Sequence, residues 1–433
     1  MLIQEIPVTN ELAVDIPALK QLVQDNVTEI PVEDAVMPCV VHEPSTEEVQ
    51  FIKDLVLQHG SPLLVLNCNI IREQYRKLKN ALPSVRLYYA MKPLPNADVI
   101  RSLLDEGAFF DVATTGEIEL AVSTGVNPLD CIHTHPIKRD CDISEALSHN
   151  VTTFVADNVD EIKKFVKYRD DAQILLRISF RNPAAKADLS KKFGCSPDNI
   201  FNLLSLSKDL GVTVKGICFH VGSQTTNPNL YVNAVTKCRE IIVKANAMGY
   251  NLSVLDIGGG FPINYETVVP EIDVFCKPIN EALQTLPSSV TVYAEPGRFI
   301  AGPSVMAISS VMGKARRDGK WWYYLDDGLY GSYSGQLFDH TFYPKTVISE
   351  PGDCEHSVLS GPTCDSIDVI DDDFLCPELN YGDLVIGHNM GAYTWATATD
   401  FNFFKKSQIC CIHRYLKLWF NKFPVCNSLL SIC

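Results

Sequence analysis

The stretch VTVKGICFHVG, residues 212–222, begins as a run of β-branched residues and ends in polar and small ones. It is followed by PNLYVNAVTKCREIIVKANAMG (228–249), where apolar residues recur at helical spacing, and then by a second strand-like run, SVLDIGGG (253–260). A strand, a helix and a strand in this order predict a βαβ unit with two parallel strands. We therefore expect an α/β fold.

The same unit repeats outward in both directions, over residues from about 85 to 300. Each interval between strand-like runs holds a segment of helical period, such as VDEIKKFVKYR (159–169). The eight runs are VRLYYAMK (85–92), FFDVATTG (109–116), CIHTHPIK (131–138), TTFVADN (152–158), ILLRIS (174–179), VTVKGICFHVG (212–222), SVLDIGGG (253–260) and TVYAEPG (291–297). Eight strand–helix units predict a TIM (β/α)8 barrel, with a doubly wound open sheet as the alternative.

The pattern changes after about residue 303. Segments such as KWWYYLDD (320–327) and DLVIGHNMG (383–391) are rich in strand formers and are punctuated by Gly and Pro. They predict a separate, mainly antiparallel β domain over 304–406.

Three further boundaries follow from these patterns. We expect the barrel to occupy 68–303 and the N-terminal segment 1–67 to pack with the β domain. Residues 407–433 form an atypical basic, Cys-rich tail, because the ending from 401 has five Lys or Arg, no acidic residue and four cysteines. The tail is either an amphipathic segment for a membrane surface or a partner, or an extension with little role; we favour the second.

Composition excludes several classes of protein. The 433 residues are 46% hydrophobic and 21% charged, which is ordinary for a globular chain. The 37 basic against 52 acidic residues give a net charge of −15, which disfavours nucleic-acid binding. We also expect no membrane span and no secretory signal, hence a cytoplasmic location. The 15 cysteines show no disulfide framework and no paired spacing for a metal, so no metal is predicted.

Polar and special residues stand at the C-terminal ends of the strand-like runs. In a TIM barrel this edge carries the active site. The residues are Lys92, Asp111, Arg177, His220, Ser223, Gly258, Gly259, Gly260, Glu295 and Arg298.

Four of these features together indicate one cofactor. The three glycines of DIGGGF (256–261) can expose N–H donors to a phosphate, and Arg298 adds charge. We expect burial and nearby cations to lower the pKa of Lys92 and make its amine nucleophilic. Glu295 supplies a carboxylate. Pyridoxal 5'-phosphate presents an aldehyde, a phosphate and a ring nitrogen that must stay protonated, so it needs all four.

Longer motifs carry a resemblance to a known family. YYAMK, FHVGSQ, DIGGGF, AEPGR, DDGLYGSYSGQLFDH, GPTCDSID and MGAYT follow one another along the chain from 88 to 394. In order and approximate spacing they resemble the barrel-fold pyridoxal phosphate decarboxylases, and among these the ornithine decarboxylases. The resemblance covers roughly 62–404. It implies a barrel of the alanine-racemase type followed by the β domain, and decarboxylation of ornithine to putrescine.

The resemblance also implies roles for the cofactor-binding residues. Lys92 is expected to form the Schiff base, His220 to stack on the pyridine ring and Glu295 to pair with its nitrogen. Asp111, Glu117 and Arg177 are expected to lie near the same centre. The phosphate is expected to be bound by Ser223, Gly258, Gly259, Gly260, Arg298 and Tyr393.

For the substrate, the resemblance implies residues from the β domain. Cys364 is expected to return a proton to the product, and Asp365 and Asp339 to bind the distal ammonium of a basic amino acid. In this family the Cys364 and Asp365 positions enter the partner subunit's site, so a homodimer is expected. Lys192 and Asp368 match a pairing across that interface.

Several alternatives remain open at this point. Within the family they are lysine decarboxylation, alone or alongside ornithine, and diaminopimelate decarboxylation; outside catalysis, a regulatory homologue that binds a protein. One methylene in a pocket discriminates by only about 1–3 kcal/mol, so ornithine and lysine are hard to separate. HTHP (133–136) is interpreted as structural, since two strand-end histidines lack carboxylate or cysteine companions.

Overall fold

The protein is described by a computed structural model over residues 44–180, 191–265 and 267–413, all within one compact unit, Pro38–Cys433. Residues 1–43 of the predicted N-terminal segment and residues 414–433 of the predicted tail lie outside the described residues.

The described residues form sixteen strands and eleven α-helices. The strands are β1 (Leu63–Asn67), β2 (Val85–Ala90), β3 (Phe109–Val112), β4 (Cys131–His133), β5 (Thr153–Ala156), β6 (Gln173–Ile178), β7 (Thr213–Phe219), β8 (Val254–Asp256), β9 (Thr291–Ala294), β10 (Val305–Arg317), β11 (Lys320–Leu325), β12 (Lys345–Ile348), β13 (Cys354–Ser360), β14 (Val369–Pro377), β15 (Leu384–Gly387) and β16 (Gln408–Ile412). The helices are α1 (Thr46–His59), α2 (Cys68–Ala81), α3 (Ala97–Leu104), α4 (Thr115–Ser123), α5 (Asp140–Ser148), α6 (Val159–Lys164), α7 (Ile200–Asp209), α8 (Asn229–Ala247), α9 (Ile272–Leu283), α10 (Arg298–Ala301) and α11 (Gly335–Phe338).

Strands β2 to β9 close into a parallel barrel, with β9 pairing back to β2. Each of the eight strand-like runs contains one of these strands, which confirms the predicted TIM barrel. Alternate side chains fill the barrel interior, because successive residues of a strand point to opposite faces. The interior cluster consists of Tyr88, Ile132, Val155, Leu175, Cys218, Val254 and Tyr293.

The helices pack their apolar faces on the outside of the barrel. In α8 the buried residues recur every three or four positions, from Tyr231 to Ala245, as expected for a one-sided amphipathic helix. The Tyr231 hydroxyl donates to the Gly259 carbonyl at 2.8 Å, which ties this helix to the loop after β8. No helix within the described residues is long and apolar enough to span a bilayer.

The second sheet has the strand order β12-β15-β10-β11-β13-β14 and is mainly antiparallel, as predicted. It also recruits β1, which precedes the barrel and pairs antiparallel with β10 through Leu63–Leu66 and Val305–Ile308. A small apolar cluster of this sheet, including Leu63, Met306 and Ile308, buries Ile52 of α1. Helix α1 begins with a capping box formed by Ser45 and Glu48.

The chain past residue 407 differs from the expected extension. Residues Gln408–Ile412 form β16, which runs parallel to β1 and continues the sheet. The alternation of apolar and polar residues expected for a half-exposed strand is absent from QICCI, and the adjoining basic residues hid the strand. At least this part of the predicted tail belongs to the folded domain.

Candidate active site

Three successive barrel strands bring Lys92, Asp111 and Thr134 together. Lys92 follows β2, Asp111 lies in β3 and Thr134 follows β4. The Lys92 Nζ lies 3.4 Å from Asp111 Oδ2, and the Thr134 hydroxyl donates to Asp111 Oδ1 at 2.5 Å. Asp111 is buried, whereas 45% of the Lys92 side chain is exposed at the barrel mouth. The amine is therefore held from below by a fixed carboxylate and open to a ligand above.

The charge environment of Lys92 is opposite to the one expected. Asp111 is the main cause that raises the Lys92 pKa, and Glu295 adds to it. The expectation that nearby cations lower this pKa is wrong, because the neighbouring strand ends carry carboxylates. The amine is thus cationic before a ligand binds, and it must lose a proton to react with an aldehyde.

Glu295 lies at the end of β9 beside a second buried carboxyl group, Asp256 of β8. Burial, and the neighbouring Asp256 and Asp111, raise the pKa of Glu295 well above its usual range. Burial also raises the pKa of Asp256 to about 6. Two carboxyl groups in contact favour sharing one proton, since both charges together are costly in a buried site. The pair can hold one negative charge for a cation placed above it.

His220 stands at the end of β7 as a neutral imidazole. Its Nδ1 accepts a hydrogen bond from the Gly222 N–H at 2.9 Å. Burial, with contributions from the cations Arg177 and Lys92, lowers the pKa of His220 to about 3. A flat, uncharged ring suits stacking on an aromatic ligand.

The loop of Gly258 to Gly260, after β8, packs closely against His220. A Cβ on Gly259 would lie 2.5 Å from the Glu295 carbonyl oxygen and 3.4 Å from His220 Nε2, so only glycine fits there. Gly258 has a φ of 69°, in the left-handed region. Among the described residues, the N–H groups of Gly259 and Gly260 have no acceptor. Two free donors in a tight loop make a cradle for an anion.

Arg298 closes the cradle from α10. Its Nε donates to the Ser223 hydroxyl at 3.2 Å and its guanidinium to the Tyr265 hydroxyl at 3.1 Å. The guanidinium also lies over the Tyr393 ring, 4.8 Å from the ring centroid. Only 4% of its side chain is exposed. Arg298 is therefore a fixed cation next to Ser223 and Tyr393, as the predicted phosphate site requires.

Asp339 differs from the expected free substrate carboxylate. Its Oδ2 forms an ion pair with Arg298 and accepts a hydrogen bond from the Thr341 hydroxyl at 3.1 Å. It follows α11, so the chain brings it to the phosphate-side arginine. A role in binding a distal ammonium stays a prediction, because in this structure the arginine balances its charge.

Two more predicted residues border the site. Glu117, in α4, accepts a hydrogen bond from the Ala113 N–H at 2.6 Å, and burial raises its pKa. Arg177 ends β6 with its guanidinium 5.5 Å from the centroid of the Phe193 ring. Both interact electrostatically with site residues, Glu117 with Lys92 and Arg177 with His220.

The predicted residues of the β domain lie apart from this group. Cys364 is exposed and Asp365 is half-buried, both in the loop between β13 and β14. The Cys364 N–H donates to Asn402 Oδ1 at 3.1 Å, and the Tyr330 hydroxyl donates to Asp365 Oδ2 at 2.5 Å. Within the described part of the chain, neither contacts Lys92 or its neighbours. One chain alone does not assemble all of the predicted site.

The predicted pairing of Lys192 with Asp368 does not match the structure. Asp368 is 1% exposed, and its two oxygens accept hydrogen bonds from Leu329 and Thr363 of the same chain. It braces the Cys364 loop from inside and presents no carboxylate at the surface. The motif spacing could not show this, because the bonding partners lie in separate segments.

Sequence reasoning missed three residues that touch the site: Thr134, Asp256 and Tyr265. Asp256 stands at a strand end in DIGGGF, so its position could have indicated it. Thr134 lies in HTHP, which we interpreted as structural. Its neighbour His133 is buried and packs 5.7 Å from the Phe154 ring, centroid to centroid. In the described ranges, no three possible ligands cluster as in a metal site.

Taken together, the site fits pyridoxal 5'-phosphate on the chemistry of its own residues. Lys92 offers an amine at the mouth, Glu295 a carboxyl group and His220 a flat neutral ring. The N–H groups of Gly259 and Gly260, which have no acceptor among the described residues, can bind a phosphate. A TIM barrel with these groups at its C-terminal edge defines a pyridoxal phosphate enzyme.

Comparison with known proteins defines the family. Residues 68–302 match the model "Pyridoxal-dependent decarboxylase, pyridoxal binding domain". The lysine/ornithine decarboxylase of Selenomonas ruminantium is 37% identical over 354 residues, 82% of this chain and 90% of the relative. The ornithine decarboxylase of Schizosaccharomyces pombe is 33% identical, over 87% of this chain and 86% of the relative. The chain belongs to the pyridoxal-dependent ornithine, lysine and arginine decarboxylases.

A solved structure is more similar still. The lysine/ornithine decarboxylase from Vibrio vulnificus, complexed with cadaverine, is 55% identical with a TM-score of 0.82 and covers 86% of this chain and all of that one. The same enzyme is also solved in complex with putrescine. The protein is thus a pyridoxal phosphate-dependent amino-acid decarboxylase of the ornithine/lysine type, and its substrates are basic amino acids.

Proposed function

We propose that the protein decarboxylates both L-lysine and L-ornithine, releasing CO2 with cadaverine or putrescine, the latter a polyamine precursor. The observation that carries this is the 55% identity to the Vibrio vulnificus enzyme, which is solved with both diamines. It favours the dual alternative over the ornithine-only prediction. The two substrates differ by one methylene, a difference that a pocket resolves by only about 1–3 kcal/mol.

The residues of the barrel divide the work of decarboxylation. Bound pyridoxal phosphate supplies an electron sink for the electrons that CO2 leaves behind. Glu295, together with Asp256, would hold one negative charge for the ring nitrogen and so favour its protonated form. Lys92 would hold the cofactor through its amine, which must first give up a proton. The neutral ring of His220 would stack on the cofactor and exclude water.

The distal ammonium of the substrate calls for carboxylates away from Lys92. Asp365 is the first candidate, and the hydrogen bond from Tyr330 lowers its pKa, so it is anionic at neutral pH. Asp339 is the second, on the side of Arg298. Cys364, next to Asp365, is the group proposed to return a proton to the product.

We assign these residues to a shared site in a homodimer. On their own chain Cys364 is exposed, Asp365 is half-buried and both lie apart from Lys92, whereas the proposed reaction needs them beside the substrate. A second copy of the chain that inserts this loop into the barrel mouth completes the site. By two-fold symmetry each dimer then has two such sites.

Steady-state kinetics test the substrate proposal. CO2 release from lysine, ornithine and meso-diaminopimelate is measured in parallel, with and without added cofactor. We expect kcat/KM for lysine and ornithine to differ by no more than about 200-fold, the upper end of what one methylene gives. An ornithine preference beyond that range restores the ornithine-only function. If no substrate turns over, although borohydride reduction of a separate sample shows that cofactor was bound to Lys92, a regulatory role remains.

Mixing two inactive variants tests the shared site. Lys92→Ala and Cys364→Ala are each expected to lose clean decarboxylation. Random exchange of subunits gives heterodimers with one complete site, so an equal mixture regains about a quarter of the wild-type activity if the site is shared. If both residues act within one subunit, the mixture stays inactive, although each variant still binds cofactor or substrate.

A further inference from the structure

Two cysteines from distant parts of the chain meet where β16 joins the sheet. Cys68 is the first residue of α2, directly after β1, and Cys411 lies in β16 beside Leu66 of β1. Their Sγ atoms are 2.8 Å apart, although 343 positions separate them in sequence. The Cys68 thiol also lies 4.0 Å from the Asp98 carbonyl and interacts with the Ser102 side chain. The two thiols are therefore each other's nearest sulfur partners and already lie closer than nonbonded sulfurs normally pack.

We propose that Cys68 and Cys411 are a redox modification site, which a small-molecule disulfide such as oxidised glutathione converts into a reversible intrachain disulfide. The bond would fasten β16 to the helix that opens the barrel. This proposal is independent of the substrate and of the shared active site.

The two thiols are unequal in acidity and in access. The hydrogen bond that Cys411 donates lowers the pKa of Cys68, which also stands at the N-terminus of α2, a position that favours a thiolate. The same contact raises the pKa of Cys411. Cys68 is fully buried, whereas Cys411 is half-buried in the outer strand. Because Cys411 is the more accessible thiol, we expect it to react first, with the small disulfide. Because Cys68 has the lower pKa, we expect its thiolate to react second, with the Cys411 sulfur.

The exchange balances in two steps. Cys411 loses its proton to solvent and attacks the small disulfide, which gives a mixed disulfide and one small thiolate. The Cys68 thiolate then attacks the Cys411 sulfur, and the second small thiolate leaves. In total the protein gives up two protons and two electrons, and the small disulfide is reduced to two thiols. An excess of small thiol reverses both steps.

A neighbouring cysteine provides a matched control. Cys410 lies on the opposite face of β16, where its Sγ is 3.6 Å from His59 Nε2 of α1. It is half-buried like its neighbour, but it has no sulfur partner across the sheet among the described residues. An effect that requires Cys411 and not Cys410 therefore depends on the sulfur contact and not on the number of thiols.

Peptide mapping of the full-length holoenzyme tests the proposal. The protein is incubated with oxidised glutathione, free thiols are blocked, and the chain is digested with trypsin. We expect peptide 54–72, which holds Cys68, to be recovered linked to 407–414, which holds Cys410 and Cys411. The linked pair loses two hydrogen atoms in mass and disappears after reduction. The wild-type result stands by itself, without a variant that must fold.

Three variants assign the two sulfurs. Cys410→Ala is expected to keep the link, and Cys411→Ala to lose it. Cys68→Ala is expected to accumulate glutathione on 407–414, because the resolving thiolate is gone. Recovery of Cys68 as a free thiol, while 407–414 carries glutathione or an internal Cys410–Cys411 bond in the wild type, overturns the proposal. So does an unchanged link in Cys411→Ala.

Discussion

The Thr134 hydroxyl donates to Asp111 Oδ1 at 2.5 Å, while the other oxygen of this carboxylate lies 3.4 Å from Lys92 Nζ. The hydrogen bond from Thr134, after β4, thus orients the Asp111 carboxylate of β3 toward the Lys92 amine, after β2. Asp111 and Thr134 are both buried, so each depends on the other for its hydrogen bond.

Replacing Thr134 tests this dependence. Thr134→Val keeps the shape of the side chain but leaves a buried carboxylate oxygen without its donor, which costs about 1–3 kcal/mol. We expect the free energy of unfolding of the cofactor-free protein to fall by that amount in urea titrations. Thr134→Ser retains the hydroxyl and is expected to stay near wild type. A loss of stability in Thr134→Ser, with Thr134→Val near wild type, would show that the methyl group matters and the hydrogen bond does not.

Asp111→Asn is expected to shift a pH profile. Asp111 is the main cause that raises the Lys92 pKa, so its removal lowers that pKa. Only the neutral amine attacks an aldehyde, so capture of pyridoxal phosphate by the cofactor-free protein accelerates as pH rises through the pKa. The acceleration should therefore move to lower pH in the variant, as followed by stopped-flow absorbance.

The control for this profile is Glu117→Gln. Glu117 also raises the Lys92 pKa, but it contributes less than Asp111. Its profile is expected to move in the same direction by a smaller step. A profile for Asp111→Asn that coincides with wild type contradicts the assignment.

Gly259→Ala is expected to impair cofactor binding while the protein stays folded. The added Cβ would lie 2.5 Å from the Glu295 carbonyl oxygen, so the loop must shift. Such overpacking typically costs about 1–3 kcal/mol, which we expect to appear as weaker pyridoxal phosphate binding in absorbance titrations. Gly116→Ala is the matched control, because its Cβ meets nothing within 4 Å. Wild-type affinity in Gly259→Ala would show that the loop adapts freely.

A buried ion pair under the HTHP segment predicts a large effect on stability. Lys138 Nζ lies 2.9 Å from Glu161 Oε1, with both side chains 1% exposed. Glu161 keeps a second cation, Lys164, 2.7 Å from its Oε2, so Lys138→Met is expected to lower the free energy of unfolding by about 1–3 kcal/mol. The adjacent Arg139 is 78% exposed in its pair with Asp142, so Arg139→Met should leave the free energy of unfolding nearly unchanged. Denaturant midpoints of the two variants decide the comparison.

The barrel could be predicted because its information is local. Each strand-like run, such as ILLRIS (174–179), carries its own β-branched pattern and turn signals, and the repeat imposes closure. The cofactor residues could be placed for the same reason, since parallel strands end at one edge. The short strand β16 was missed because QICCI is apolar after Gln408, with no alternation, and its partner β1 lies at the other end of the chain.

Charge relationships across strands were the harder part. The direction of the Lys92 pKa shift depends on which charges Asp111 and Glu295 place beside it, and the pattern along one strand does not contain that distance. Asp339 pairs with Arg298 and Asp368 accepts a hydrogen bond from the Thr363 hydroxyl within the chain, partners that the sequence did not indicate. Local sequence predicts which residues reach an edge but not which of them pair there.

The position of β1 has a consequence for synthesis on the ribosome. This strand is made before any barrel strand, yet its two neighbours, Val305–Ile308 of β10 and β16, are made after the barrel is complete. During elongation both edges of β1 therefore stay without these partners while the barrel strands are synthesised. A chain that stops before β16 can form the barrel but leaves one edge of β1 unpaired. Pairing of β16 with β1 therefore completes this part of the sheet.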